Sequence, residues 1–144
     1  MRKKQLLFIC AVFFLHSYVF SQNDARITVA VNDLKGSGMD QVTATIVSDR
    51  LRSELVNSGV FRVMEREEME NILKEQGFQQ SGGCDEASCL VQVGRLLGVQ
   101  RMVSGSIGKV DNFWTISLRM LNVATAEILF TVDEDCPSNQ MLTC

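Results

Sequence analysis

An α+β fold is what this sequence predicts: a mixed β-sheet with helices packed on one face, in the order β-α-β-α-α-β-β-β. Three features lead there. Apolar residues repeat at helical spacing in three separate stretches between residues 41 and 97. From residue 101 onward the period switches to two. Glycines stand where the helical stripes stop, at Gly59, Gly77 and Gly98, the position a C-terminal cap favours.

The first strand is "ITVAVNDL", in which Ile27, Val29 and Val31 alternate with Thr28, Ala30 and Asn32. "KGSG" (Lys35 to Gly38) follows as a turn, and Asp40 is placed to cap a helix reaching about Ser58. Ala44, Val47, Leu51 and Leu55 form its inward stripe. Val42, Ile46 and Val56 form a second stripe on nearly the opposite side, which a helix covered only by its own sheet does not need. "FRVME" is a short strand. Arg66 to Gln76 is a second helix with Met69, Ile72 and Leu73 inward, and Phe78 folds back onto Leu73. A third helix spans about Glu86 to Leu97 with Leu90, Val93 and Leu97 inward. Gly94 lies on that face, where a missing side chain allows close approach; a tolerated glycine is the plain alternative. "RMVSGSIGKV" and "FWTISLRMLNV" make a hairpin about Asp111-Asn112, and "EILFTV" adds a last strand. In the middle strand Trp114, Ile116, Leu118 and Met120 oppose Thr115, Ser117 and Arg119, so one side is drier than the other.

At 144 residues the chain has material for one domain. Residues 1–21 read as a signal segment: Arg2, Lys3 and Lys4, an apolar run to Phe20, then Val19 and Ser21 at a small-residue cleavage site. The domain proper is expected over 22–135, with 136–144 a short tail in which Pro137 suits a helical first turn. Losing the leader removes three positive charges, so the net charge moves from −3 to −6, which argues against nucleic acid as a partner. It also removes His16, the single histidine, and Cys10. A chain without histidine builds neither a Ser-His or Cys-His nucleophile pair nor a mixed Cys/His zinc site. No catalytic, cofactor or metal residue is therefore assigned, and no membrane-spanning segment is expected in the mature chain.

Four cysteines then remain, Cys84, Cys89, Cys136 and Cys144. Cys84 and Cys89 have four residues between them, so they do not match a C-x-x-C redox motif. In an oxidising compartment a structural disulfide at the start of the third helix is the expectation, with Asp85 as its cap. An all-cysteine zinc site and free thiols are the alternatives, and the pairing of Cys136 and Cys144 stays open. "KGSG" has the place of a phosphate loop but lacks the glycine or Gly-Lys-Ser ending such loops use, and an ordinary turn is the plain reading. Glu65, Glu67, Glu68 and Glu70 suggest a general acid/base pair or a cation site, against the simpler reading of a solvated helix start. Phe113 and Trp114, beside the hairpin tip, are either an aromatic anchor for a partner or a strand start whose tryptophan enters the core.

"LRSELVNSGVFRVMEREEMENILKEQGFQQSG", then "GRLLGVQRMVSGSIGKV" and "ISLRMLNVATAEI", resemble the curli-secretion (CsgG/HfaB-like) family and the related periplasmic domain of LpoB-type activators of penicillin-binding proteins. Phe61-Arg62-Val63 leading into Glu65-Arg66 is similar to the family's "F-x-V-x-E-R" step. Leu97-Gly98 leading to Val103-x-Gly105-Ser106 is similar to its strand entry. Thr125-Ala126-Glu127 stands where "T-G-E" is usual. The resemblance implies an extracytoplasmic, non-enzymatic protein, periplasmic or associated with the outer membrane, that works by binding an envelope protein or itself. A regulator of a cell-wall synthase is the alternative within that class, and a nucleotide- or metal-binding enzyme domain using Lys35 to Gly38 the alternative outside it. Val42, Ile46, Val56, Phe113 and Trp114 are the candidate contact residues.

Overall fold

The computed structural model describes residues 25–78, 84 and 86–139. The signal segment and the end of the expected tail lie outside the described residues. The elements are β1 (Ile27–Val31), β2 (Lys35–Ser37), α1 (Gln41–Asn57), β3 (Phe61–Val63), α2 (Arg66–Glu75), α3 (Ala87–Leu97), β4 (Arg101–Val110), β5 (Phe113–Asn122) and β6 (Ile128–Pro137). They form one mixed sheet in the order β3-β1-β4-β5-β6, so the α+β class stands. β1 pairs in parallel with β3 and β4, and β4-β5-β6 is an antiparallel meander.

The helices do not share one face, and the strand order explains why. The chain steps from β1 outward to β3 through α1, then back past β1 to β4 through α2 and α3. Parallel crossovers are right-handed, so two that run in opposite directions deposit their helices on opposite faces. Val29, Val31, Val103 and Met120 accordingly pack with Leu51 and Leu55 of α1. Ala30, Met102 and Leu121 face the other way, onto Leu90, Val93 and Leu97 of α3 and Met69 of α2. β1 is thus buried on both sides, with Val29, Ala30 and Val31 all inaccessible. Its sequence alternation hid this because Ala30, on the supposedly wetter side, is small and apolar.

"KGS" is a strand rather than a turn: β2 runs parallel to β4, Lys35 opposite Ser106 and Ser37 opposite Gly108. A Cβ at Gly36 would lie 2.9 Å from Met39 Cγ and 3.3 Å from the Ala44 side chain, so this strand touches α1 closely. Asp40 caps α1 as expected, its carboxylate accepting from the Thr43 amide at 2.9 Å and hydroxyl at 2.7 Å. The Thr43 hydroxyl, then its amide, hold the Asp40 carboxyl below its usual value.

Two polar residues of α1 are buried beside the apolar stripe. The Ser48 hydroxyl donates to the Ala44 carbonyl at 2.8 Å and accepts from the Leu34 amide at 2.9 Å. Arg52 donates to the Val31 carbonyl and to Asp33, each at 2.7 Å, and to Asp49 at 2.6 Å. Arg66, at the start of α2, reaches the same Asp33 oxygen at 2.7 Å. The arginine of the family's "E-R" step thus joins Arg52 in a clamp on Asp33 that ties the end of β1, α1 and α2 together.

Gly94 does permit close approach: a Cβ there would lie 2.5 Å from Val123 Cγ2 and 2.9 Å from Met102 Cγ. Asp111, in the β4–β5 turn, has φ 49°, as a two-residue hairpin turn demands. β6 is longer than the expected "EILFTV". Asp133, Glu134, Asp135, Cys136 and Pro137 all pair with β5, so Cys136 and Pro137 end a strand and do not open a helical turn. The acids fit because the β5 partners of Asp133 and Asp135 are Ser117 and Thr115, on the wetter side, and the Thr115 hydroxyl donates to Asp135 at 2.7 Å.

Candidate functional site

The candidate contact residues fall in three places. Val42 and Ile46 lie one turn apart on the outer face of α1, 68% and 53% exposed. Val56 is also exposed, but ten residues further along the helix, a rise of about 15 Å; it borders a shallow depression with Arg52 and Arg66. The expected second stripe is thus a pair plus a separate residue. At the hairpin, Phe113 is exposed together with Val110. Trp114 is half-buried against the cluster of Leu34, Ala44, Val47 and Ile107, with the Lys109 ammonium 5.4 Å from its ring centroid. Phe113 therefore stands out at the tip, and Trp114 divides its ring between core and cation.

Cys84 and Cys89 are joined by a disulfide, their Cα atoms 5.7 Å apart. Cys84 is buried and Cys89 packs on the α3-side core, so the clip anchors the approach to α3. Asn32 Nδ2 adds a bond to the Cys84 carbonyl at 3.2 Å. The N-cap position falls to Glu86, whose side chain makes no capping bond; Asp85 lies outside the described residues. Cys136 is buried and also disulfide-bonded, to a partner outside the described residues.

The other motifs do not converge on a reactive centre. Glu65, Glu67, Glu68 and Glu70 are all exposed around the start of α2, where negative charge complements the helix dipole. Among the described residues no group of three or more His, Cys, Asp or Glu is placed to hold a metal ion. Lys35–Ser37 of that segment form a strand, and the first-turn amide of Thr43 is already bonded to the Asp40 carboxylate. A phosphate at that helix end would meet a carboxylate rather than open donors.

The surface that sequence reasoning missed is on β6. Ile128, Leu129, Phe130 and Val132 are all exposed, Phe130 by 48% and Val132 by 39%. Register places Phe130 opposite Met120 and Val132 opposite Leu118, so both side chains stand on the face that carries α1. α1, through Ala44 and Val47, covers Leu34 and Ile107 and leaves Ile116 and Leu118 only half-buried. Beyond it Phe130 and Val132 extend an apolar shelf into solvent. Covering each half-exposed side chain contributes on the order of 1 kcal/mol. The reverse side of the same strands is polar, with Ser104, Ser106, Ser117, Thr131 and Asp133 around Arg119, whose Nε donates to Ser104 at 3.0 Å. The signal for the shelf was present in "ILFTV": a strand with apolar residues at nearly every position is either central or exposed where it is not central.

A mixed sheet with helices on both faces of its parallel half and an exposed outermost strand defines an α+β domain. Residues 18–115 match the family described as curli production assembly/transport component CsgG, and the chain belongs to that family. Curated proteins give no match. Among solved structures the fold is similar to the LpoB C-terminal domain from Salmonella enterica, with TM-score 0.66, 17% identity, and 77% of this chain and 82% of that one covered. The LpoB C-terminal domain from Escherichia coli gives 0.63 at 18% identity, covering 76% and 81%. Lipoprotein GNA1162 from Neisseria meningitidis gives 0.61 at 9% identity, covering 76% and 79%. Among the described residues no helix is long and apolar enough to cross a membrane.

Proposed function

We propose that this chain is a non-enzymatic, extracytoplasmic domain of the cell envelope, exported by its leader, that acts by binding another envelope protein or a further copy of itself in secretion or envelope assembly. One observation carries the reading: the sheet of a CsgG-family domain leaves the Phe130–Val132 shelf unroofed, and Ile46 and Phe113 add exposed apolar side chains elsewhere. Contiguous exposed apolar surface marks interaction sites on soluble proteins. A photo-crosslinking residue at Phe130, at Ile46 or at Phe113 in the exported protein tests it. Adducts with an envelope protein or with itself are expected from at least one site. A protein that stays in the cytosol, or that is exported yet gives no adduct and sediments as a monomer, refutes the reading.

The likeness of fold to LpoB C-terminal domains favours a second reading within the same class, a regulator of a cell-wall synthase. Its test is retention of a penicillin-binding protein on the immobilised chain. The enzyme alternative is separated by thermal unfolding with nucleotides and divalent cations: a bound ligand raises the midpoint by mass action, and no rise is expected.

A further inference from the structure

We infer that the outer edge of β6 docks an extended segment of a partner protein, apolar where it lies along Ile128–Val132 and basic where it lies along Asp133–Asp135. The inference rests on the protein-binding reading above and names the partner's chemistry. β6 ends the strand order, and among the described elements its main contacts are with β5 alone. Among the described elements no strand pairs with its other edge, along which backbone donors and acceptors alternate, and its one proline, Pro137, is its last residue. Edge strands are usually guarded by lysine, proline or a covering element. The guard here is acidic, and it faces one kind of visitor only. Parallel pairing of β6 in register with another β6 stacks the three acids on themselves. Like charges directly across a ladder repel, whereas lysine or arginine opposite them attracts. A basic strand is thus selected for along Asp133–Asp135, and an in-register parallel copy of β6 selected against. Phe130 and Val132, standing with Leu118 on one face, offer the alternate side chains of such a strand an apolar seat, the source of specificity in strand addition.

The experiment uses the full, oxidised chain and two synthetic ten-residue probes. Both begin with alternating valine and threonine; one ends in three lysines and the other in three glutamates. Affinity is read by fluorescence anisotropy at low salt, and the site by amide hydrogen exchange. The lysine probe is expected to bind about ten-fold tighter than the glutamate probe and to slow exchange in β6. The variant Asp133→Lys with Glu134→Lys changes two exposed side chains and leaves Asp135 on Thr115. It should keep the unfolding midpoint and reverse the preference. Equal affinities, protection confined to α1 or the hairpin tip, or a dimer formed through β6 in sedimentation overturns the inference. If cellular adducts from Ile46 or Phe113 persist alongside any of these, the protein-binding reading stands and only the β6 assignment falls.

Discussion

The two halves of this sheet share β4, yet solvent treats them as different materials. In the parallel half, β3-β1-β4, helices lie on both faces and β1 is inaccessible along Val29, Ala30 and Val31. In the antiparallel half β6 is exposed at every position but Cys136. Similar apolar letters therefore do different things. Leu90, wholly buried on α3, holds layers together, and Phe130 stands half in water. Burial comes from what the crossover connections bring, and a meander joined by short turns brings none.

The contrast breaks most visibly at Leu90. Leu90→Ala removes a fully buried side chain from the α3-side core and should cost about 2–5 kcal/mol in urea denaturation. If it cost no more than a surface change, the parallel half would not be the stable one. Next comes the clip. Replacing Cys84 and Cys89 by serine reopens a short loop and should cost about 2 kcal/mol in the loop-entropy account, lowering the thermal midpoint. The Cys136→Ser variant, which lacks the other bond, should lose a similar amount when heated with reductant rather than without it.

Two opposed glycine and alanine swaps sharpen the comparison further. Gly94→Ala places a Cβ 2.5 Å from a stiff Val123 methyl, so helix propensity gains less than crowding loses; a net loss of about 1 kcal/mol is expected. Ala126, in the turn before β6, holds φ 63°, a left-handed conformation costing a side-chain-bearing residue about 1 kcal/mol. Ala126→Gly should return that amount as stability. Space forbids the methyl in the covered half, and backbone conformation disfavours it in the open half. Urea midpoints moving in the same direction for both variants would refute this account.

Most of the elements were legible because period and punctuation agree along the chain. Gly77 and Phe78 close α2 as the cap pattern requires, the Phe78 amide bonding the Leu73 carbonyl at 2.9 Å. The two-sidedness of the sheet was not legible, since it follows from the spatial order β3-β1-β4, and no local pattern encodes which neighbour a strand takes. β2 was missed because three residues with two small side chains carry no alternation, and their pairing with β4 is wholly non-local. Arg52 was missed because a charged residue beside an apolar stripe reads as solvated until Asp33 and the Val31 carbonyl are found next to it. Of the contact candidates, α1 and the hairpin tip were visible as apolar residues off the inward stripe. β6 was not, because "ILFTV" satisfies the pattern of a buried strand and only its place at the edge makes it a surface.

The smallest expected effect lies at that edge. Phe130→Ser exchanges a large apolar side chain for a small polar one, a change that would cripple the protein at Leu90. At Phe130 about half the side chain is already in water, and its cross-strand partner Met120 is buried in a cluster with Val29, Val31 and Val103. Burial of the remaining half accounts for roughly 1 kcal/mol, so the urea midpoint should move little. The adducts proposed for this surface should fall sharply in the same variant when the crosslinker sits at Val132. A residue whose loss spares the fold and removes the contact is held at the surface for the contact. A large destabilisation would instead place Phe130 in the core economy of the domain, and the antiparallel half would then be as load-sharing as the parallel one.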